Sequence, residues 1–174
     1  MTKTYFTNIE NIIKTQLSSA QQSVRIAVAW INFQEYKDVF EALLARHVRL
    51  EILTNSIQSN NSETNIATAN HLKRLGARIQ IKDFGTLMHH KFCVIDEDLC
   101  IFGAFNWTKK ANDQNIESIT VTDESTAIYD YLEEFNSLWV LNAQNLQKLR
   151  KPDICEICGG PIILHLWFRA GRGL

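Results

Sequence analysis

Apolar residues recur at helical intervals through the opening of the chain. Phe6, Ile9, Ile13, Leu17 and Ala20 share one face and predict an amphipathic helix that stops between Ser18 and Gln22. The pattern then shortens to Val24-Arg25-Ile26-Ala27-Val28-Ala29-Trp30-Ile31, a β-branched and mostly apolar run expected of a buried strand. Tyr36, Val39, Phe40, Leu43 and Leu44 restore the helical interval, and Val48 to Thr54 alternates as a second strand. A polar loop from Asn55 to Asn65, with a cap at Ser62, leads into a third helix over Ile66 to Leu75, closed by Gly76. Ala77 to Ile81 is then a third strand, and the repeated alternation predicts parallel pairing with helices on the sheet faces.

From Met88 onward the pattern changes to strands without helices between them. Met88 to Ile95, a turn at Asp96-Glu97-Asp98, Leu99 to Phe102 and Glu117 to Val121 precede a last helix that begins near Asp123. Ile128, Tyr131, Leu132, Phe135, Leu138 and Trp139 line one side of that helix. The expected fold is α/β: a mixed, mainly parallel β-sheet flanked by helices, occupying residues 1–147, with a separate tail over 148–174 where the composition shifts.

Composition narrows the function classes. With 45% hydrophobic and 21% charged residues in a chain of 174, a packed globular domain is expected. The formal net charge of -1 gives no overall attraction to polyanions, so such binding would rest on local clusters such as Lys73-Arg74, Lys109-Lys110 and Lys148 through Lys151. The longest apolar run, Val24 to Phe33, is broken by Arg25 and Asn32 and falls short of the roughly 20 residues a spanning helix needs. No signal-type segment follows Met1, so a cytoplasmic protein with no transmembrane segment is expected, with Cys93, Cys100, Cys155 and Cys158 as reduced thiols.

The chemistry concentrates around His89. On a strand, His89, Lys91 and Cys93 point to one face while His90, Phe92 and Val94 point to the other. A neutral imidazole is a competent nucleophile near neutral pH, and a neighbouring ammonium neutralises charge on phosphoryl oxygens during displacement. Asn106 is placed to donate its amide to another oxygen, and Glu117 to accept from His89 Nδ1 and fix the tautomer. Asp96 lies at the strand end with the opposite parity, which assigns it a structural hydrogen-bonding part in the set. His90 reads as a packed or surface residue, His47 and His71 as helix-end residues, Cys93 as an inert buried thiol, and Phe105 and Trp107 as core or interface aromatics ahead of base-stacking platforms.

The run His89-x-Lys91-x4-Asp96, followed by Gly103-Ala104-Phe105-Asn106 and Glu117, resembles the HxKx4D signature of the phospholipase D superfamily, most closely its small single-motif bacterial nuclease and mitochondrial-type branch. The resemblance covers roughly residues 5–142. It implies a phospholipase D/nuclease-like sandwich, a phosphohistidine at His89, phosphate binding by Lys91 and Asn106, a histidine-orienting Glu117 and no catalytic cofactor. It also implies two histidines per site, which one motif per chain supplies only as a homodimer. The family usually has serine where Ala104 stands, a lost donor worth on the order of 1 to 3 kcal/mol, which Thr108 is near enough in sequence to replace.

The function expected is therefore a metal-independent phosphodiesterase, first a nuclease on single-stranded DNA or RNA. The alternatives are a phosphodiesterase of cardiolipin or phosphatidyl lipids, and a nucleic-acid-binding module with weak or lost catalysis. In the tail, Cys155-Glu156-Ile157-Cys158 has the spacing of half a zinc ribbon, with His165 the remaining soft ligand; a structural zinc and an unliganded reduced pair are both compatible with it.

Overall fold

The computed structural model describes residues 1–141, together with a two-stranded ribbon of Asp153–Ile154 paired with Pro161–Ile162. The expected tail, with Cys155, Cys158 and His165, otherwise lies outside the described residues.

The chain runs β1 (Thr2–Tyr5), α1 (Ile9–Ser19), β2 (Ser23–Val28), α2 (Phe33–Ala45), β3 (Arg49–Asn55), α3 (Glu63–Arg74), β4 (Arg78–Lys82), β5 (Lys91–Ile95), β6 (Leu99–Gly103), α4 (Lys109–Gln114), β7 (Ile119–Thr122) and α5 (Ser125–Val140). Seven strands form one open sheet in the order β1-β7-β6-β5-β2-β3-β4. The mixed sheet flanked by helices is as expected, but the predominance of parallel pairing is corrected. Only β2–β3 and β3–β4 are parallel, while β2–β5, β5–β6, β6–β7 and β1–β7 are antiparallel. The reason is the connections: α2 and α3 cross over between parallel neighbours, whereas the tight β5–β6 turn permits only an antiparallel return.

Each face of the sheet has its own core. On one, Ile9, Ile13 and Leu17 of α1 and Phe33, Phe40 and Leu43 of α2 pack with Val24, Ile26, Ile52, Cys93 and Ile95. On the other, Ile128, Phe135 and Leu138 of α5 pack with Ala27, Leu53, Phe92, Val94 and Cys100. Alternation along β5 thus sends Cys93 one way and Phe92 and Val94 the other, as the period of two requires.

β1 was not expected. Its residues are mainly exposed, and it is held as an edge strand by backbone pairing to β7 and by hydroxyl pairs, Thr2 with Thr122 at 2.7 Å and Thr4 with Thr120 at 3.0 Å. Phe6 consequently lies before α1 rather than on its buried face and is 70% exposed.

The β5–β6 turn places Asp96 and Glu97 at φ 53° and 60°, left-handed values that non-glycine residues adopt only when tied down. The ties are visible. The Asp96 carboxylate accepts from the backbone N–H groups of Gln21, Gln22 and Ser23 at 2.7–2.8 Å, and Arg25 Nη1 donates to Glu97 at 2.8 Å. Burial alone would raise the Asp96 pKa, but the three donors outweigh it and hold the group below its ordinary value. A carboxyl with a lowered folded pKa stabilises the fold above its unfolded pKa and loses that contribution as pH falls through the folded value. Asp96→Ala is expected to reduce unfolding free energy by about 2 kcal/mol at neutral pH and to flatten the acid limb of stability, as measured by urea unfolding from pH 7 down to about 3.

Candidate active site

Four chain segments meet at one end of the sheet: the continuation of β2, the approach to β5, the exit from β6 and the approach to β7. The antiparallel register sets Val28 opposite Lys91, and the Ala29 N–H donates to the His90 carbonyl at 2.8 Å, so the pairing runs on past both strands. Two residues further, Trp30 and His89 meet edge to face, with ring centroids 5.5 Å apart and planes at 86°. Lys91 Nζ lies 5.6 Å from the centre of the same Trp30 ring and donates to the His89 carbonyl at 2.9 Å. His89 itself precedes β5 rather than lying within it, yet like Lys91 it lies against the Trp30 ring.

The exit from β6 docks on the same extension. Trp107 N–H donates to the Trp30 carbonyl at 3.0 Å and Asn32 N–H to the Trp107 carbonyl at 2.8 Å. Phe105 and Trp107 are each 2% exposed, with Trp107 against the Tyr36 ring, so both are core aromatics. Asn106 between them lines a cleft of about 450 Å³ shared with Trp30, Ser59, Thr108, Lys110 and Asn115. Its Oδ1 is buried and without a partner. An unpaired acceptor is completed by a donor, so a phosphoryl oxygen would pair with the Nδ2 of the same amide and not with this Oδ1. Thr108 caps α4 by accepting from the Ala111 N–H at 3.3 Å, which leaves its hydroxyl proton free toward the cleft it lines.

Electrostatics favour a neutral imidazole. Partial desolvation of the largely exposed ring first, then the charges of Lys91 and His90, lower the His89 pKa from its ordinary 6.5. Burial also lowers that of Lys91, opposed by the charge of Glu117. Glu117 accepts from Asn115 Nδ2 at 2.9 Å. The hydrogen bond expected from His89 Nδ1 to Glu117 is not formed here; the carboxylate is engaged by Asn115 and acts electrostatically on Lys91.

Asp96 occupies the far end of β5, bonded to the loop before β2, and takes the structural part its parity assigned. His90 points to the α5 face and bonds Glu134 at 2.9 Å, a bond that, together with the charge of His90, keeps the glutamate pKa low. His71 bonds Glu41 at 2.6 Å. Cys93 is fully buried and its thiol pushed well up, as befits an inert group. Ala104 is exposed at the corner after β6, its N–H donating to the Ser118 carbonyl at 2.9 Å.

The sequence reading missed Trp30, taken only as a strand residue, and three asparagines in the stretch read as a polar loop. Asn55, Asn60 and Asn65 are 3%, 1% and 4% exposed. Their amides satisfy the backbone of the loops around them: Asn60 Nδ2 reaches the carbonyls of Ala29 and Asn55, and Asn65 Nδ2 those of Ile31 and Asn60. Their even five-residue spacing was the available signal.

His89 and Lys91 both lie against Trp30, and Trp30 in turn lines the cleft that holds Asn106, Thr108 and Lys110; His89, Lys91 and Glu117 are not themselves part of that lining. Residues 13–139, well over half the chain, match the family described as "Cardiolipin synthase, PLD-like domain", and the chain belongs to the phospholipase D superfamily. It is similar to the mitochondrial cardiolipin hydrolase of Chlamydomonas reinhardtii, at 30% identity over 123 residues, 71% of this chain and 54% of that protein. The phospholipase D of Rickettsia conorii is 22% identical over 71% of this chain and 60% of its own length. Among solved structures, the phospholipase D family member Nuc from Salmonella typhimurium has the same fold, with a TM-score of 0.72 at 20% identity over 80% of this chain and 93% of that one. The chain spans little more than half the length of these curated relatives.

Proposed function

We propose that the protein is a metal-independent phosphodiesterase whose nucleophile is His89. The observation that carries this reading is that His89 and Lys91 lie against one ring, Trp30, which also lines the cleft holding Asn106 and Thr108. The His89 Nε2 lone pair forms a P–N bond as the P–O bond to the leaving group breaks, and a second, protonated imidazole gives that oxygen its proton. Water then attacks the phosphohistidine, passing its proton to the second imidazole, and the P–N bond breaks to restore His89. Lys91 and Asn106 hold the phosphoryl oxygens, and Thr108 offers the hydroxyl that Ala104 lacks.

The second imidazole does not come from the described part of the same chain. His90 is bound to Glu134 on the opposite face, His71 is bound to Glu41, and His47 follows α2 at the other end of the sheet. A second copy presenting its own His89 across a twofold axis completes the site. If so, when wild-type and His89→Ala chains are co-refolded in varying ratio, activity falls as the square of the wild-type fraction; a linear fall means each chain works alone.

The favoured substrate is nucleic acid, supported by Lys110 and the polar side chains of Ser59, Thr108 and Asn115 that line the cleft beside the Trp30 ring. A lipid substrate is the second reading, favoured by the exposed apolar Leu87 and Ile116, which neighbour His89 and Glu117 in the chain, and by the relative named for cardiolipin hydrolysis. Incubation with a labelled single-stranded oligonucleotide and with cardiolipin vesicles, each with and without EDTA, separates them. Oligonucleotide cleavage that persists in EDTA is expected. Cleavage of the vesicles alone assigns the lipid reading, binding without cleavage a module that has lost turnover, and loss in EDTA overturns the metal-independent mechanism.

A further inference from the structure

We propose that Asn55 is a positioning residue for His89, gripping the backbone one residue before the nucleophile and fixing the place from which the imidazole attacks. This rests on the reading of His89 as nucleophile. Asn55 ends β3 and is 3% exposed. Its Nδ2 donates to the Met88 carbonyl at 2.7 Å and its Oδ1 accepts from the Met88 N–H at 3.0 Å, so one side chain closes both backbone valences of a single residue, much as a neighbouring strand would. The same Nδ2 lies 3.2 Å from the Ala29 carbonyl. On the far side of the nucleophile, the Ala29 N–H takes the His90 carbonyl.

His89 is therefore held on both sides through the backbone, while its own side chain is exposed and meets only Trp30, in a T-shaped pair, among aromatic rings. The segment from 83 to 90 forms no regular structure that could fix it otherwise. Asn55 is in turn held by Asn60, whose Nδ2 donates to the Asn55 carbonyl and whose Oδ1 accepts from the Ile31 N–H next to Trp30. The clamp and the aromatic wall of the site are parts of one network.

The residue type follows from the task. One short side chain must donate and accept at once: aspartate would face the carbonyls of Met88 and Ala29 with a second acceptor, and serine cannot bridge both atoms. A nucleophile displaced by about 1 Å can lose roughly a hundredfold in rate without loss of substrate binding.

The test compares Asn55→Ala with Leu17→Ala, which opens a cavity in α1 at the Asp96 end of the sheet, both assayed at a temperature where circular dichroism shows them folded. Asn55→Ala is expected to lower kcat by about 10- to 100-fold with KM unchanged. In its NMR spectrum the His89 ring protons, assigned by His89→Asn, lose the ring-current shift imposed by Trp30. Leu17→Ala keeps both kcat and that signature. If Asn55→Ala does not fold, Asn55→Asp fills the same volume, keeps the acceptor for Met88 N–H, loses the donor and shows the same kcat loss. The clamp is overturned if kcat stays within about twofold of wild type, if both variants lose kcat alike, or if the His89 signals do not move. Hydrolysis that survives His89→Asn instead removes the nucleophile reading; loss there alongside full activity in Asn55→Ala removes the clamp alone.

Discussion

His89→Ala and His89→Asn proteins are expected to hydrolyse a phosphodiester about 10⁴-fold or more slowly than wild type and to unfold at the same temperature, as a turnover assay and a thermal melt would check. The rate falls because no other described group can form the P–N bond: Lys91 donates to the His89 backbone, and His90 faces α5 with its imidazole on Glu134. Stability is unchanged because the His89 side chain is exposed and its removal empties no core volume. Attack requires the neutral imidazole, so the acid limb of kcat/KM lies below the ordinary histidine value of 6.5. Lys91→Ala removes one of the charges that depress the His89 pKa, moving the limb upward while the rate falls by about 10² to 10³ with loss of the phosphoryl cation. An upward-shifted limb in wild type, or a His89→Asn protein of equal activity, contradicts the assignment.

Gly103→Ala is expected to lose about 3 kcal/mol of stability and, where still folded, most of its activity. A Cβ at Gly103 would stand 2.2 Å from the Ser118 carbonyl oxygen and 2.8 Å from Ile119 Cα, both backbone atoms that no rotamer change can withdraw. Strands β6 and β7 must part, breaking the Ala104–Ser118 bond at the corner that sets Asn106 near the approach of Glu117. Urea unfolding with a parallel activity assay checks this; a change under about 0.5 kcal/mol means the two strands separate freely.

What could be read in advance follows from where burial is periodic. α1 and α2 bury an apolar side chain every three or four residues, and α5 buries Ile128, Phe135 and Leu138 with Tyr131 and Leu132 partly buried between, so these helices write themselves into the hydrophobic pattern, whereas α3 buries Asn65 and Thr68 beside Ala69 and Leu72 and does so more faintly. α4 buries only Ala111 and β1 nothing fully, so neither left such a trace; capping by Thr108 and threonine pairs hold them instead. The parity of His89, Lys91 and Cys93 was legible because a strand's period is local, and Asn106 and Glu117 because they follow closely. Trp30 and Asn55 were not. Their part depends on which strand becomes the neighbour of β5, a long-range choice that no short window encodes. The antiparallel half of the sheet eluded the expectation of parallel pairing for the same reason.

The chain carries two histidines in succession, and strand register decides which of them meets Trp30 and which meets Glu134. A slip of one residue along β5 would bring His90 to Trp30 and Phe92 to the place of Lys91, an imidazole without its cation. Such a slip is resisted at both ends: Asn55 and Ala29 fasten Met88 and His90 ahead of the strand, and Asp96 and Ser23 bind each other's backbone behind it. The turn aspartate, at the far end of the strand, thereby helps to select which histidine stands beside Trp30 and Lys91.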